Sequence, residues 1–476
     1  MSLMRLSEAA RAIPAELRGE DRIFEAVSTD TRALAPQALF VALKGERFDG
    51  HGFLAQAAER KAAGALVQKA GLKFEDQGLS DRLPLLIVED TRQSLGKLAA
   101  YWRRKFAMPL VALTGSNGKT TVKEMLASIL REACSAPSPA LDPQSCVLAT
   151  SGNLNNDIGV PLTLLELRSG HRYAVVEMGM NHAGEIRYLT RLAAPDVALI
   201  NNAGPAHVEF LGSVAAIARA KGEIFEGLNV DGAAVINADD RFASLWRELA
   251  AGRRVVDFGI ERHACVTATY ALRHLESEIV VKTPLGEAAA VLKAPGVHNV
   301  RNALAASAAA VALQVPAPAI ARGLSRFAGI KGRLQAKAAA NGATLIDDTY
   351  NANPESARAA IAVLALAPGR KLLVVGDMGE LGAGAAGMHA EIGRFARENR
   401  IDRLLALGEQ SAHAARAFGA HAQHFAHIEE LLAAVESELA PDVTVLVKGS
   451  RFMHMERVVQ SFELRVSSSK SEDNHA

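Results

Sequence analysis

The chain has 476 residues, enough for roughly two to four domains of about 150 residues each, and its 53 Lys plus Arg nearly cancel 52 Asp plus Glu. That balance excludes whole-surface attraction to nucleic acid or anionic membrane, so any basic site must be local. No run reaches the roughly 18 apolar residues of a membrane span, and MSLMRLSEAARAIPAEL lacks the apolar core of a signal peptide, so a cytoplasmic chain without membrane insertion is expected.

Short apolar runs alternate with Ala-rich helical stretches along most of the length, which predicts an α/β fold with largely parallel sheets. In the first segment, VSTDTRAL precedes the strand LFVAL and the loop KGERFDGHGF. Lys44, Arg47, Gly45, Gly50 and Gly52 make that loop locally basic near a helix start, suited to a diphosphate, although such loops are often only solvated connections. A first boundary falls where the helical LGKLAAYWRRKF ends at Phe106-Ala107-Met108-Pro109, and a second near Ala328-Gly329-Ile330-Lys331-Gly332. The expected domains are therefore 1–108, 109–328 and 329–476, with SAPSPALDPQS at 135–145 and a polar tail from about 467 as surface material. Cys134, Cys146 and Cys265 match neither a disulfide framework nor a zinc spacing and read as ordinary reduced side chains.

The second segment opens with LVALTGSNGKTTVKEML, a strand, a Gly-rich loop and a helix. The usual Gly-x-x-x-x-Gly-Lys spacing would need glycine at Leu113, whereas the first glycine is Gly115. The loop residues expected at a bound nucleotide are Thr114, Gly115, Ser116, Asn117, Gly118, Lys119, Thr120 and Thr121. Backbone N–H groups of such a loop and the helix dipole form an anion site, Lys119 can reach terminal phosphates, and Thr120 offers a hydroxyl to Mg²⁺. The strand YAVVEMG ends in Glu177, and DVALINNAGPAH leads into a loop with His207. In a parallel sheet the strand carboxyl ends share one edge, so Thr120, Glu177 and His207 can converge on a divalent metal. Taken singly, Glu177 could be a surface carboxylate and His207 a structural histidine. In AAIARAKGEIFEGL, Lys221 is four after Ile217 and four before Phe225, on the apolar face of its helix. A cation there needs an anionic partner, must lose its charge, or snorkels to water.

The third segment repeats strand and helix units at ATLIDD, KLLVVGD, RLLALG and VTVLVKG, a Rossmann-like pattern. Its post-strand loops carry Tyr350, Asn351 and Asn353, then Asp377 to Glu380, then Lys448, Ser450 and Arg451. Asn353 and Pro354 also suit a helix N-cap and first turn.

Over nearly its whole length the sequence resembles the Mur ligases, the ATP-dependent amide-forming enzymes of peptidoglycan precursor synthesis. The resemblance is carried by TGSNGKTT, SGNLNNDIGVPLTLLEL, VVEMGMNHAGEI, NNAGPAHVEFLGS, ARAKGEIF, GVHNVRNALAA and DDTYNANPESARAAI. It implies three α/β domains: one binding a UDP-muramoyl peptide, a central P-loop ATPase-like parallel sheet, and a Rossmann-like domain. GNLNNDIGVPLTLL and DDTYNANP imply the activity that joins D-alanyl-D-alanine to UDP-N-acetylmuramoyl-tripeptide through an acyl phosphate, with ATP and two Mg²⁺, in a chain expected to act as a monomer. Thr120 and Glu177 are implied as ligands of one Mg²⁺. Lys221 is implied to react with CO₂ and, as a carbamate, to serve a second Mg²⁺ with His207. The resemblance further implies Asn299, Asn302, Arg333 and Asp347 or Asp348 at the nucleotide, and Ser28, Thr29, Asp30, Thr31, Arg32, Lys44 and Asn153 at the UDP substrate. The third-segment loop residues, Tyr350, Asn351, Asn353, Lys448, Ser450 and Arg451, are expected at the dipeptide, because a small zwitterion needs opposite charges placed close together. The alternatives are the ligase of the third stem residue, which typically carries an Asp-Asn-Pro-Arg motif missing here, and a folyl-polyglutamate synthase, which should lack the UDP segment. More distant is a P-loop kinase or switch, which would not need an inward Lys221.

Overall fold

A computed structural model describes residues 2–46, 48–72, 82–134, 145–205 and 211–462. Arg47 and His207 lie outside the described residues, as do most of the 135–145 stretch and the polar tail.

In the N-terminal region, strands β1 (Glu16–Arg18), β2 (Ala26–Ser28), β3 (Ala38–Val41), β4 (Gly64–Gln68) and β5 (Leu85–Val88) form one sheet in the order β1-β5-β4-β3-β2. Its strands pair in parallel except β1, which runs antiparallel to β5. Helix α1 (Thr91–Arg103) follows, started by Asp90, whose carboxylate accepts the Gln93 N–H at 2.9 Å. The far end of α1 is tied to the next region: Trp102 Nε1 donates to the Leu167 carbonyl at 3.0 Å and Arg103 Nε to the Ala193 carbonyl at 3.0 Å.

The central sheet comprises β6 (Leu110–Thr114), β7 (Val147–Ala149), β8 (Tyr173–Glu177), β9 (Val197–Ile200), β10 (Ala233–Asn237) and β11 (Arg254–Phe258), all parallel, in the order β11-β10-β9-β6-β8-β7. Strand alternation explains the continuous apolar runs. Leu110 and Ala112 join the cluster shared with Leu95, Leu98 and Trp102 of α1, while Val111 and Leu113 join that of helices α2 (Lys119–Cys134) and α5 (Val297–Ala312). Between them come α3 (Glu185–Ala193) and α4 (Val214–Gly222), the latter capped by Ser213. A three-stranded antiparallel sheet, β12 (Thr267–Leu272), β13 (Ser277–Thr283) and β14 (Gly286–Leu292), precedes α5; the largely parallel expectation did not include it.

The C-terminal sheet is β15 (Gln335–Ala338), β16 (Thr344–Asp348), β17 (Arg370–Gly376), β18 (Arg403–Leu407), β19 (Ala422–Phe425) and β20 (Val443–Lys448), in the order β15-β16-β20-β17-β18-β19, with only β15 antiparallel. Helix α6 (Pro354–Ala365) follows β16 and begins with a capping box between Asn353 and Ser356.

The expectation of three reduced cysteines is corrected at two positions. Cys134, the last residue of α2, and Cys146, next to β7, are bonded to each other, and Cys265 is free. A sequence separation of 12 hid a pairing that the packing of α2 beside β7 creates.

Candidate active site

The phosphate loop is shaped by asparagines from the exit of β9. Asn202 Oδ1 accepts the Asn117 N–H at 2.8 Å, and the Asn117 carbonyl accepts from Asn201 Nδ2 at 2.9 Å and Asn202 Nδ2 at 3.1 Å. Ser116 is tied to the same exit: its N–H donates to the Asn202 carbonyl at 3.1 Å, and its hydroxyl donates to the Gly204 carbonyl at 3.1 Å while accepting the Gly204 N–H at 2.9 Å. The Ser116 hydroxyl is thus occupied in holding the loop. Gly118 takes φ +78°, and a Cβ there would collide with the Asn302 and Asn201 side-chain amides. Asn302 Oδ1 in turn accepts from Asn201 at 2.9 Å, and its Nδ2 donates to Asn299 Oδ1 at 3.1 Å. The two asparagines of α5 brace the loop from behind while lining the same cleft. Of the expected loop residues, Ser116 through Thr121 face that cleft, whereas Thr114 and Gly115 are outside its wall. Past the loop, the first N–H groups of α2 have no carbonyl a turn earlier to receive them, which leaves donors for an anion.

Three charged side chains meet at this sheet edge. Lys119 Nζ donates to the Gly115 carbonyl at 2.8 Å, and burial lowers its ammonium pKa, with Glu177 opposing and Arg333 adding to the shift. Arg333 reaches across from the C-terminal region, its guanidinium 4.2 Å from the Tyr350 ring centroid and donating to Thr120 Oγ1 at 3.0 Å. Glu177 is 2 % exposed; its Oε1 accepts from Asn155 Nδ2 at 2.8 Å, and its Oε2 is buried without a partner. A buried carboxylate oxygen left unpaired is costly unless a cation meets it. Among the described residues no group of three His, Cys, Asp or Glu side chains is placed to hold a metal. Glu177 and the Thr120 hydroxyl therefore fit Mg²⁺, which takes few protein ligands beside substrate phosphates, rather than an all-protein cage.

Lys221, on α4, is 2 % exposed, and burial followed by the neighbouring Lys119 cation holds its pKa well below the ordinary lysine value. It does not snorkel. A neutral amine is what this position favours, and a neutral amine is nucleophilic.

Lys119, Thr120, Glu177 and Arg333 open on a cavity of about 880 Å³ between the central and C-terminal regions, with Asn117, Asn299, Tyr350 and Arg451 also in its wall, whereas Lys221 lies behind that wall. Residues 24–103 match the Mur ligase family catalytic domain, 113–310 the Mur ligase middle domain and 332–451 the Mur ligase glutamate ligase domain. The chain is 43 % identical over 469 residues to the Escherichia coli UDP-N-acetylmuramoyl-tripeptide–D-alanyl-D-alanine ligase, covering 97 % of this chain and 99 % of that one. The chain belongs to the Mur ligase family. Among solved structures, MurF from Acinetobacter baumannii superposes with a TM-score of 0.87 at 37 % identity, covering 97 % and 99 % of the two chains. MurF ligase from Thermotoga maritima in complex with ADP gives 0.79 at 26 % identity, covering 93 % and 98 %. The protein is accordingly an ATP-dependent, ADP-forming ligase.

The other expected residues of the ligase fall into three groups. Tyr350, Asn351, Asn353, Lys448, Ser450 and Arg451 all line the cavity, but several are already engaged. Lys448 pairs with Asp348 at 2.6 Å and donates to the Asn351 carbonyl at 2.9 Å; Ser450 Oγ donates to the Ala352 carbonyl at 3.0 Å and accepts the Gly379 N–H at 2.9 Å. Between the two aspartates, the structure puts Asp348 in the cavity wall. Asp347 faces away from it, accepting from the Thr349 hydroxyl at 2.7 Å and pairing with Lys337 at 3.3 Å, because neighbours on β16 point to opposite faces.

The UDP set sits in the N-terminal region, apart from Asn153, which is exposed beyond β7; none of the seven is in the cavity wall. Ser28 ends β2; Asp30 caps the turn Thr31–Ala33 and pairs with Arg32 at 2.7 Å, which lowers the Asp30 carboxyl pKa to about 2. The Thr31 hydroxyl is committed to Gln56 at 2.5 Å, while Thr29 is half-buried and Lys44 is exposed. Missed from the sequence were Asn155, Asn201 and Asn202. Their signal was present as the paired asparagines of GNLNND, in the loop after β7, and of INNAG, directly after β9.

Proposed function

We propose that the ligase joins D-alanyl-D-alanine to the terminal carboxylate of UDP-N-acetylmuramoyl-tripeptide, converting ATP to ADP and phosphate, in the cytoplasm and as a single chain. The observation that carries this reading is the convergence of Lys119, Thr120 and the unpartnered Glu177 oxygen in one cavity wall, with buried Lys221 near enough to feel the Lys119 charge, in a chain that spans 99 % of a relative named for this reaction. The working parts would be residues 1–108 for the UDP-muramoyl peptide, 109–328 for ATP and 329–476 for the dipeptide.

The substrate carboxylate attacks the γ-phosphorus of ATP, giving an acyl phosphate and ADP. The dipeptide amine then attacks the acyl carbon, and the tetrahedral adduct collapses to amide and phosphate. Lys119 and Arg333 place positive charge against the transferring phosphoryl group, the electrostatic help that such a transfer needs most. Mg²⁺ held by Thr120 and Glu177 would neutralise charge between two anionic reactants. Lys221, whose ammonium form burial disfavours, is suited to add as the neutral amine to CO₂ and release a proton, and the resulting carbamate would supply anionic oxygens where an ammonium is unfavourable. The Arg333 contact to Thr120 ties the C-terminal region to the phosphate site, and closure there would help to exclude the water that otherwise hydrolyses the acyl phosphate.

The test is phosphate release from ATP. It should require both UDP-N-acetylmuramoyl-tripeptide and D-alanyl-D-alanine; release with neither, or with a folate and glutamate, would overturn the reading.

A further inference from the structure

Asn117 lies in the middle of the phosphate loop, yet both ends of its side-chain amide bond to the other region. Its Nδ2 donates to Glu355 Oε2 at 2.7 Å, and its Oδ1 accepts from Asn353 Nδ2 at 2.8 Å. The orientation is unambiguous. Asn353 spends its own oxygen capping α6 through the Ser356 N–H at 2.8 Å, so only its N–H₂ is left to donate, and an ionised Glu355 can only accept. Glu355 is on the first turn of α6, and its Oε2 lies where a Cβ on Gly204 would collide with it.

We propose that Asn117, Asn353 and Glu355 form a latch through which the C-terminal region is positioned on the phosphate loop, so that loop geometry and domain closure are one event. The backbone of Asn117 shapes the loop through Asn201 and Asn202, while its side chain reports that shape to α6. A loop displaced from its phosphate-binding form would carry the amide away from both partners at once. The latch rests on the fold and contacts alone; only its kinetic readout depends on the reaction proposed above.

The test is a donor–acceptor exchange in the full-length ligase. Asn117→Asp sets a carboxylate against Glu355 and should enlarge the radius of gyration in solution scattering with ADP present and slow ligation by roughly tenfold or more. Adding Glu355→Gln restores a donor facing an acceptor, and the double variant should regain the compact form and most of the rate. Gly204→Ala, which leaves the loop's charge unchanged and displaces only the Glu355 carboxylate, should weaken the Asn117 contact and open the molecule less than Asn117→Asp does. The latch is overturned if Asn117→Asp stays as compact as the parent, or if the double variant is as open and slow as Asn117→Asp alone while its melting temperature matches the parent. Compaction restored without phosphate release in any protein, parent included, would keep the latch and reject the substrate assignment.

Discussion

At the scale of single residues, the site depends on side chains that never need to touch a substrate. Asn155 holds one oxygen of Glu177 at 2.8 Å while its own carbonyl accepts the Gly179 N–H at 2.7 Å, so the carboxylate is fixed with its second oxygen free. Asn155→Ala should therefore weaken Mn²⁺ binding, followed by electron paramagnetic resonance with ADP bound, by roughly tenfold to a hundredfold, the usual effect of losing a group that orients a metal ligand. Its melting temperature should change little, since the residue is only half-buried. Unchanged Mn²⁺ affinity would remove Asn155 from that role. Lys221 makes a sharper case: Lys221→Ala should abolish ligation, and a short carboxylic acid should restore part of it by standing in for the carbamate. Full activity of the variant, with no response to the acid, would mean that the buried amine is structural.

Elements explain what the sequence could and could not disclose. The strand–loop–helix of β6 and α2 was legible because LVALT is buried over all five residues and TVKEMLASIL repeats apolar residues at helical spacing. The ends of β8 and β9 were legible for the same reason, and parallel pairing carries Glu177 and Asn201 to the edge where the loop lies. Less visible was which of two adjacent residues faces the cleft: Asp347 and Asp348 differ only by the pleat of β16, and the register that decides it is set by pairing with β20, almost a hundred residues further on. Asn117 and Glu355 are 238 positions apart, and no local pattern links them. The Lys448–Asp348 pair is similar: each residue looked available at the end of its own strand, and only the β16–β20 contact consumes them. Likewise, Cys134 and Cys146 could be paired only once α2 was seen to end beside the entry to β7.

Across the whole molecule, packing divides the chain unequally. One apolar cluster runs from Leu3 and Leu39 through α1 into β6, β8 and β9, so the N-terminal and central regions share a core, whereas the C-terminal sheet has clusters of its own. His298 stands at its junction with the central region, at the start of α5 and in the cavity wall. Burial, and then the Lys448 and Arg301 cations, lower its pKa from 6.5 to about 4. A form in which the C-terminal region has swung away or unfolded would take up the proton first. The stabilisation His298 gives to the closed form is complete above pH 6.5 and is lost as pH falls toward about 4. Asp348 and Glu355, whose carboxyl pKa values burial raises, act in the opposite sense, so the histidine must be isolated by comparison. The melting temperature of His298→Gln, measured without ligands, should gain on that of the parent as pH is lowered from 6.5 to 4, and the difference between the two should be flat above pH 7. A difference that does not change with pH would show that His298 exchanges no proton on opening.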